Sequence, residues 1–125
     1  MLNTASLIAF IATADPARAR AFYETILGLE FVSDEPSALV FTSNGTMVRM
    51  QKVQSASPAP YTALGWSVQD IGLEVEALTT RGLTFERFPG LPQDDRGICT
   101  FPDGTQVAWF KDPDGNLLSL TQFPL

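Results

Sequence analysis

The sequence predicts an α+β fold in which two β-α-β-β-β modules form a curved mixed sheet, a cup with its helices on the outside. Three observations predict it. Two apolar, β-leaning runs each stop at an aspartate that opens a helix, Asp15 in the first half and Asp70 in the second. Each helix then closes on a glycine, Gly28 and Gly82. Each half ends in two strand-like runs around a tight turn, Ser43-Asn44-Gly45 and Asp112-Pro113-Asp114-Gly115. One such half cannot cover its own sheet, so two copies are needed to complete a core.

The elements follow in order. Leu7 to Thr13 reads as a strand, and Asp15-Pro16 supplies an N-cap followed by a proline suited to the first helical turn. Ala19, Phe22, Tyr23, Ile26 and Leu27 recur at helical spacing, which predicts an amphipathic helix of about three turns capped by Gly28. Strands are expected at Leu29 to Ser33, Ala38 to Thr42 and Met47 to Val53, separated by Asp34-Glu35-Pro36 and by the hairpin signal Asn44-Gly45. Module one is thus 1–54.

Ser55 to Pro60 reads as a linker, and module two, 61–125, begins the order again. Leu64 to Val68 is its first strand, and Ile71, Val75 and Leu78 form one helix face that ends at Arg81-Gly82. Leu83-Thr84-Phe85 answers Leu29-Glu30-Phe31, and Val107 to Lys111 with Asn116 to Gln122 answers the last hairpin of module one. Phe88 to Gln106 has no counterpart; it is an inserted loop with an extra hairpin, Gly97 to Phe101 turning at Pro102-Asp103-Gly104.

Composition narrows the function. With 125 residues, 45% of them hydrophobic, the chain can build one core without disulfides, and Cys99 has no second cysteine to pair with. No run reaches the roughly 18 apolar residues of a membrane span and no leader pattern opens the chain, so a cytoplasmic protein with no membrane partner is expected. The net charge is -6 and the eight basic residues are scattered, which argues against nucleic acid.

Asp15, Ala21-Phe22-Tyr23, Leu27-Gly28-Leu29 and Phe110-Lys111-Asp112-Pro113-Asp114-Gly115-Asn116, set in the repeat described, resemble the glyoxalase/bleomycin-resistance/dioxygenase family of the vicinal oxygen chelate superfamily. The resemblance covers nearly the whole chain. It implies a cup with a divalent metal held by four side chains, from the first and last strand of each module. Counting seven residues back from each capping aspartate gives Ile8 and Ala63, and four on from each hairpin glycine gives Arg49 and Ser119. None is a histidine, thiolate or carboxylate, and the chain has no histidine at all. The metal-dependent isomerase, ring-cleaving and thiol-transfer reactions of the family are therefore not carried over, and no cofactor is expected. The resemblance also implies a homodimer, which would cover sheet edges.

What remains is a cup that suits a small molecule. Strand alternation sends Ile8, Phe10 and Ala12, Met47, Arg49, Gln51 and Val53, Ala63, Gly65 and Ser67, and Leu117, Ser119 and Thr121 to its inner face. Arg49, Gln51, Ser119, Thr121, Phe10 and Ser67 are the candidate ligand contacts, a few polar anchors in an apolar concavity. Arg49 would meet a ligand's acid group, or an acidic neighbour such as Asp94, Asp95 or Glu86, or reach water at the rim. A binding or sequestering protein is the first expectation. A metal-free or atypical-metal lyase, isomerase or dioxygenase using Asp94, Asp95 and Glu86 is the alternative, and a cup filled by its own side chains is a third. Cys99 reads as a buried thiol, and Trp66 and Trp109 as core or interface aromatics.

Overall fold

A computed structural model describes all residues, Met1–Leu125, and their contacts gather into two units, Met1–Pro58 and Ala59–Leu125.

In the first unit, β1 (Ile8–Thr13) leads into α1 (Pro16–Arg20) because the Asp15 carboxylate accepts from the Arg18 N–H at 3.2 Å. Pro16 fills a helical position whose N–H would have no partner in any case. The helix does not stay α to its end. Over Ala21–Ile26 it widens to π geometry, and the Leu27 N–H reaches back five residues to the Phe22 carbonyl at 3.0 Å. The 3.6-residue spacing of Phe22, Tyr23 and Ile26 predicts an α-helix throughout; the wider turns still bury Phe22 and Tyr23, so the pattern fits both.

Three antiparallel neighbours follow, β2 (Glu30–Asp34), β3 (Ala38–Ser43) and β4 (Thr46–Lys52), in a sheet of order β1-β4-β3-β2. β1 lies parallel to β4, with Phe10 opposite Arg49. Asn44 and Gly45, at φ 47° and 84°, turn the hairpin with both central residues left-handed. One face of the sheet presents Ile11, Leu39, Phe41, Val48 and Met50, all buried, to the helix. Tyr23 packs on Phe41 with ring centroids 5.9 Å apart and on Phe22 at 5.3 Å. Truncating Phe41 to Ala would remove the centre of this layer, at a cost of about 3–5 kcal/mol.

The second unit repeats the plan with β5 (Leu64–Ser67), α2 (Ile71–Thr80), β6 (Cys99–Thr100), β7 (Gln106–Lys111) and β8 (Leu117–Gln122), in the order β5-β8-β7-β6. α2 starts where Asp70 accepts from the Leu73 N–H at 3.1 Å and where the Gln122 side chain accepts from the Ile71 N–H at 2.8 Å. It ends at Gly82, φ 96°, with the Leu83 N–H returning to the Leu78 carbonyl. Ile71, Val75, Leu78 and Leu83 pack in its core with Ala108, Phe110, Leu118 and Leu120. Asp112 sets the last turn: buried, it accepts from the N–H groups of Asp114 and Asn116 and from the Asn116 amide, each at 2.9 Å.

The edge of this sheet departs from the expectation. Leu83-Thr84-Phe85 does not form a strand; Phe85 makes a single antiparallel bridge to Phe110, and the Glu86 N–H donates to the Trp109 carbonyl at 2.8 Å. Further along β7, β6 takes the remaining edge, shorter than the expected Gly97 to Phe101 run. The fourth strand is therefore made in two pieces, with residues 86–98 looped out between them. No helix is long and apolar enough to cross a membrane.

Candidate functional site

Alternation gives each sheet a second face, turned away from its helix. In the first unit it carries Ile8, Phe10 and Ala12 from β1, Met47, Arg49 and Gln51 from β4, and Val40 from β3. Phe10 is 54% exposed and Ile8 43%. Large apolar side chains presented together on a sheet need something to cover them, whereas isolated ones do not.

Arg49 stands between Phe10 and Val40 in register. Its Nη2 lies 3.2 Å from Glu35 Oε1, and Glu35 Oε2 accepts from the Ser33 hydroxyl at 3.1 Å. The expected acidic neighbours, Asp94, Asp95 and Glu86, are not its partners. Glu35 reaches it instead, because the turn from β2 to β3 is bonded to Ala38, which lies opposite Gln51, two residues from Arg49. Gln51 follows two residues on, exposed.

In the second unit the corresponding face carries Gly65 and Ser67, Leu117, Ser119 and Thr121, and Val107, Trp109 and Lys111. Ser67 lies opposite Thr121, and Ser119 is flanked by Gly65 and Trp109. Ser119 is buried, while Ser67 is exposed. Trp109 shares this face and meets the Phe88 ring edge-on at 5.4 Å. It belongs among the candidate contacts, and the alternation of β7 against Ser119 is the signal that marks it.

A divalent metal does not fit the positions at which the resemblance places it. Ile8 and Ala63 offer no donor, Ser119 offers a neutral hydroxyl, and Arg49 brings a cation already paired with Glu35. Elsewhere, no three His, Cys, Asp or Glu side chains come together so as to hold a metal ion.

The carboxylates of the inserted loop serve the loop. Asp94 accepts from the Ile98 and Arg96 N–H groups, both at 2.9 Å, and pairs with the Arg96 guanidinium at 3.4 Å. Burial pushes its pKa up, but these hydrogen bonds and the Arg96 charge outweigh that and hold it below the usual aspartate range. Glu86 pairs with Lys111 at 3.7 Å. Gln93, which has no charge to draw notice in the sequence, organises the segment: its amide N–H groups donate to the Glu86 and Gly97 carbonyls and its carbonyl accepts from the Phe88 N–H. Cys99 is buried and unbridged.

Comparison with known proteins bears on this geometry. The family model described as Glyoxalase/Bleomycin resistance protein/Dioxygenase superfamily matches residues 5–120. Among solved structures, a member of that superfamily from Sphaerobacter thermophilus DSM 20745 is 27% identical, with a TM-score of 0.74 over 98% of this chain and 99% of that one. TnmS3, an antibiotic binding protein from Streptomyces sp. CB03234, is 21% identical, with a TM-score of 0.73 over 99% of each chain. Lactoylglutathione lyase from Agrobacterium tumefaciens is 21% identical, with a TM-score of 0.67 over 95% of this chain and 93% of that one. Among curated proteins none matches the sequence.

Proposed function

Because the chain belongs to the glyoxalase/bleomycin resistance protein/dioxygenase superfamily, we propose that it binds a small organic molecule without a metal, on the sheet faces turned away from its helices, and releases it unchanged. The observation that carries this reading is the side-chain set Ile8, Arg49, Ala63 and Ser119 at the family's metal positions. A guanidinium there repels a divalent cation and offers N–H donors to an acceptor group.

Apolar contact would come from Phe10, Ile8 and Met47, all exposed, and orientation from Arg49 and Gln51. Ser67, Thr121, Ser119 and Trp109 are the equivalent contacts in the second unit. The antibiotic-binding description of TnmS3 adds support of a general kind, since it attaches binding to a protein of this fold. A homodimer belongs to the same reading. Acid–base catalysis by Asp94, Asp95 and Glu86 is the second reading, since two of the three pair with cations, Asp94 with Arg96 and Glu86 with Lys111.

The test joins two measurements on tag-free protein. Elemental analysis after incubation with manganese, iron, nickel or zinc should find no stoichiometric metal. Calorimetry against a panel of natural-product antibiotics and aromatic acids should find a binder that mass spectrometry recovers intact and that Phe10→Ala weakens. Stoichiometric metal, or chemical conversion of the bound compound, would overturn the proposal.

A further inference from the structure

A groove of about 650 Å³ lies on the helix side of the second unit, between the later turns of α2, residues 83–85 and the looped-out segment. It is separate from the sheet face that carries Ser119. Its floor is apolar: Val75 and Leu83 are buried there and Phe85 is half-buried. The volume lies within the range of small-molecule sites.

The two arginines that border it are in different states. Arg96 is spent on carboxylates, 3.4 Å from Asp94 and 3.7 Å from Glu76. It lies over the start of α2 because Gly72 has no side chain; a Cβ there would be 2.8 Å from Arg96 Nη1. Arg87 instead donates from Nη2 to the Asp95 main-chain carbonyl at 2.7 Å and makes no ion pair. A neutral carbonyl holds a guanidinium in place without cancelling its charge, and the remaining N–H groups stay available. Thr79 and Thr84, both exposed, border the same groove.

From this combination, a guanidinium held by a main-chain carbonyl and in no ion pair, beside two threonines over an apolar floor, we infer that the groove binds a small organic anion. A carboxylate or phosphate would lie on Arg87, Thr79 and Thr84, with the apolar body on Val75, Leu83 and Phe85. Glu76 and Asp95 also border the groove, Asp95 beside Arg87 itself, so the acid group must be taken up by the N–H groups of Arg87 that point away from Asp95. Inorganic phosphate, with no apolar body, should bind more weakly than phenyl phosphate.

The experiment titrates the full, isotope-labelled chain with phenyl phosphate, benzoate and inorganic phosphate, following amide resonances by NMR. Saturable shifts at Thr79, Thr84 and Arg87 with either aromatic anion, weaker ones with inorganic phosphate, and a tenfold or greater loss of affinity in Arg87→Gln are expected. Thr79→Val keeps its shape on an exposed helix position and leaves the Arg87 contact intact, so a loss of affinity there separates the hydroxyl's role from any loosening of the loop. Absence of saturable binding by both aromatic anions, unchanged affinity in both variants, or shifts centred on Phe10 and Arg49 would overturn the inference. The last outcome would leave the sheet-face proposal standing.

Discussion

Gly65 and Ser119 face each other across the β5–β8 ladder so closely that a methyl group on Gly65 would stand 2.8 Å from the Ser119 hydroxyl. Both residues are on the face turned from the helix, and Ser119 is buried there. Gly65→Ala should therefore cost about 1–3 kcal/mol, the range for overpacking. Ser119→Ala in the same chain should recover most of it, and a double-mutant cycle by urea unfolding measures the coupling. Additive effects would place the strain elsewhere.

The Arg49–Glu35 pair is partly exposed, with side-chain accessibilities of 26% and 42%. Glu35→Gln should cost less than about 1 kcal/mol in stability, as exposed ion pairs do. It should also free Arg49, so an anionic ligand on the first sheet face should bind more tightly to this variant than to wild type. Calorimetry on both proteins checks it, and weaker binding would mean that Glu35 serves to aim the guanidinium.

Asp112 accepts three hydrogen bonds in a buried turn. Asp112→Ala removes the carboxylate that two N–H groups and an amide donate to, and a loss of about 2–4 kcal/mol is expected, seen as a lower urea midpoint. Asp112→Asn keeps one acceptor oxygen and should lose less.

Asp94 titrates below its ordinary value of 3.8 when folded. A depressed carboxylate pKa contributes stability that is complete above the unfolded value and disappears as pH falls through the folded one. The difference in thermal midpoint between wild type and Asp94→Asn should thus be constant near neutrality and narrow below about pH 4. A gap that widens in acid would contradict the hydrogen bonding described.

Gln93→Ala removes three side-chain hydrogen bonds that span the looped-out segment. A cost of about 1–3 kcal/mol is expected, with faster proteolysis confined to residues 86–98. Cleavage spread over both units would show that the segment supports the whole chain.

Much of this architecture was legible in residue order. Asp15 and Asp70 cap helices, Asn44-Gly45 turns a hairpin, and the apolar faces of both helices are where their spacing puts them. The rest depends on contacts that spacing does not encode. Phe22, Tyr23 and Ile26 suit an α or a π turn equally, so the widening over Ala21–Ile26 left no mark. Glu35 in a turn and Gln93 in a loop acquire roles only when folding brings Arg49 and the Glu86 carbonyl beside them. At the site, alternation placed Phe10, Arg49 and Gln51 on one face and Ser67, Ser119 and Thr121 on another, but Trp109 went unread because aromatic bulk suggests a core.

The divided edge strand of the second unit has a consequence for how such a chain can diverge. Phe85 and Cys99 are anchored to the same strand on either side of the looped-out stretch, and between its ends, Glu86 and Ile98, no residue bonds to β7. A change of length or composition between those ends disturbs the loop's own bonds, such as those of Gln93, before it disturbs the sheet. A lineage could exchange one stretch for another and change what the groove beside α2 admits while inheriting the scaffold unaltered.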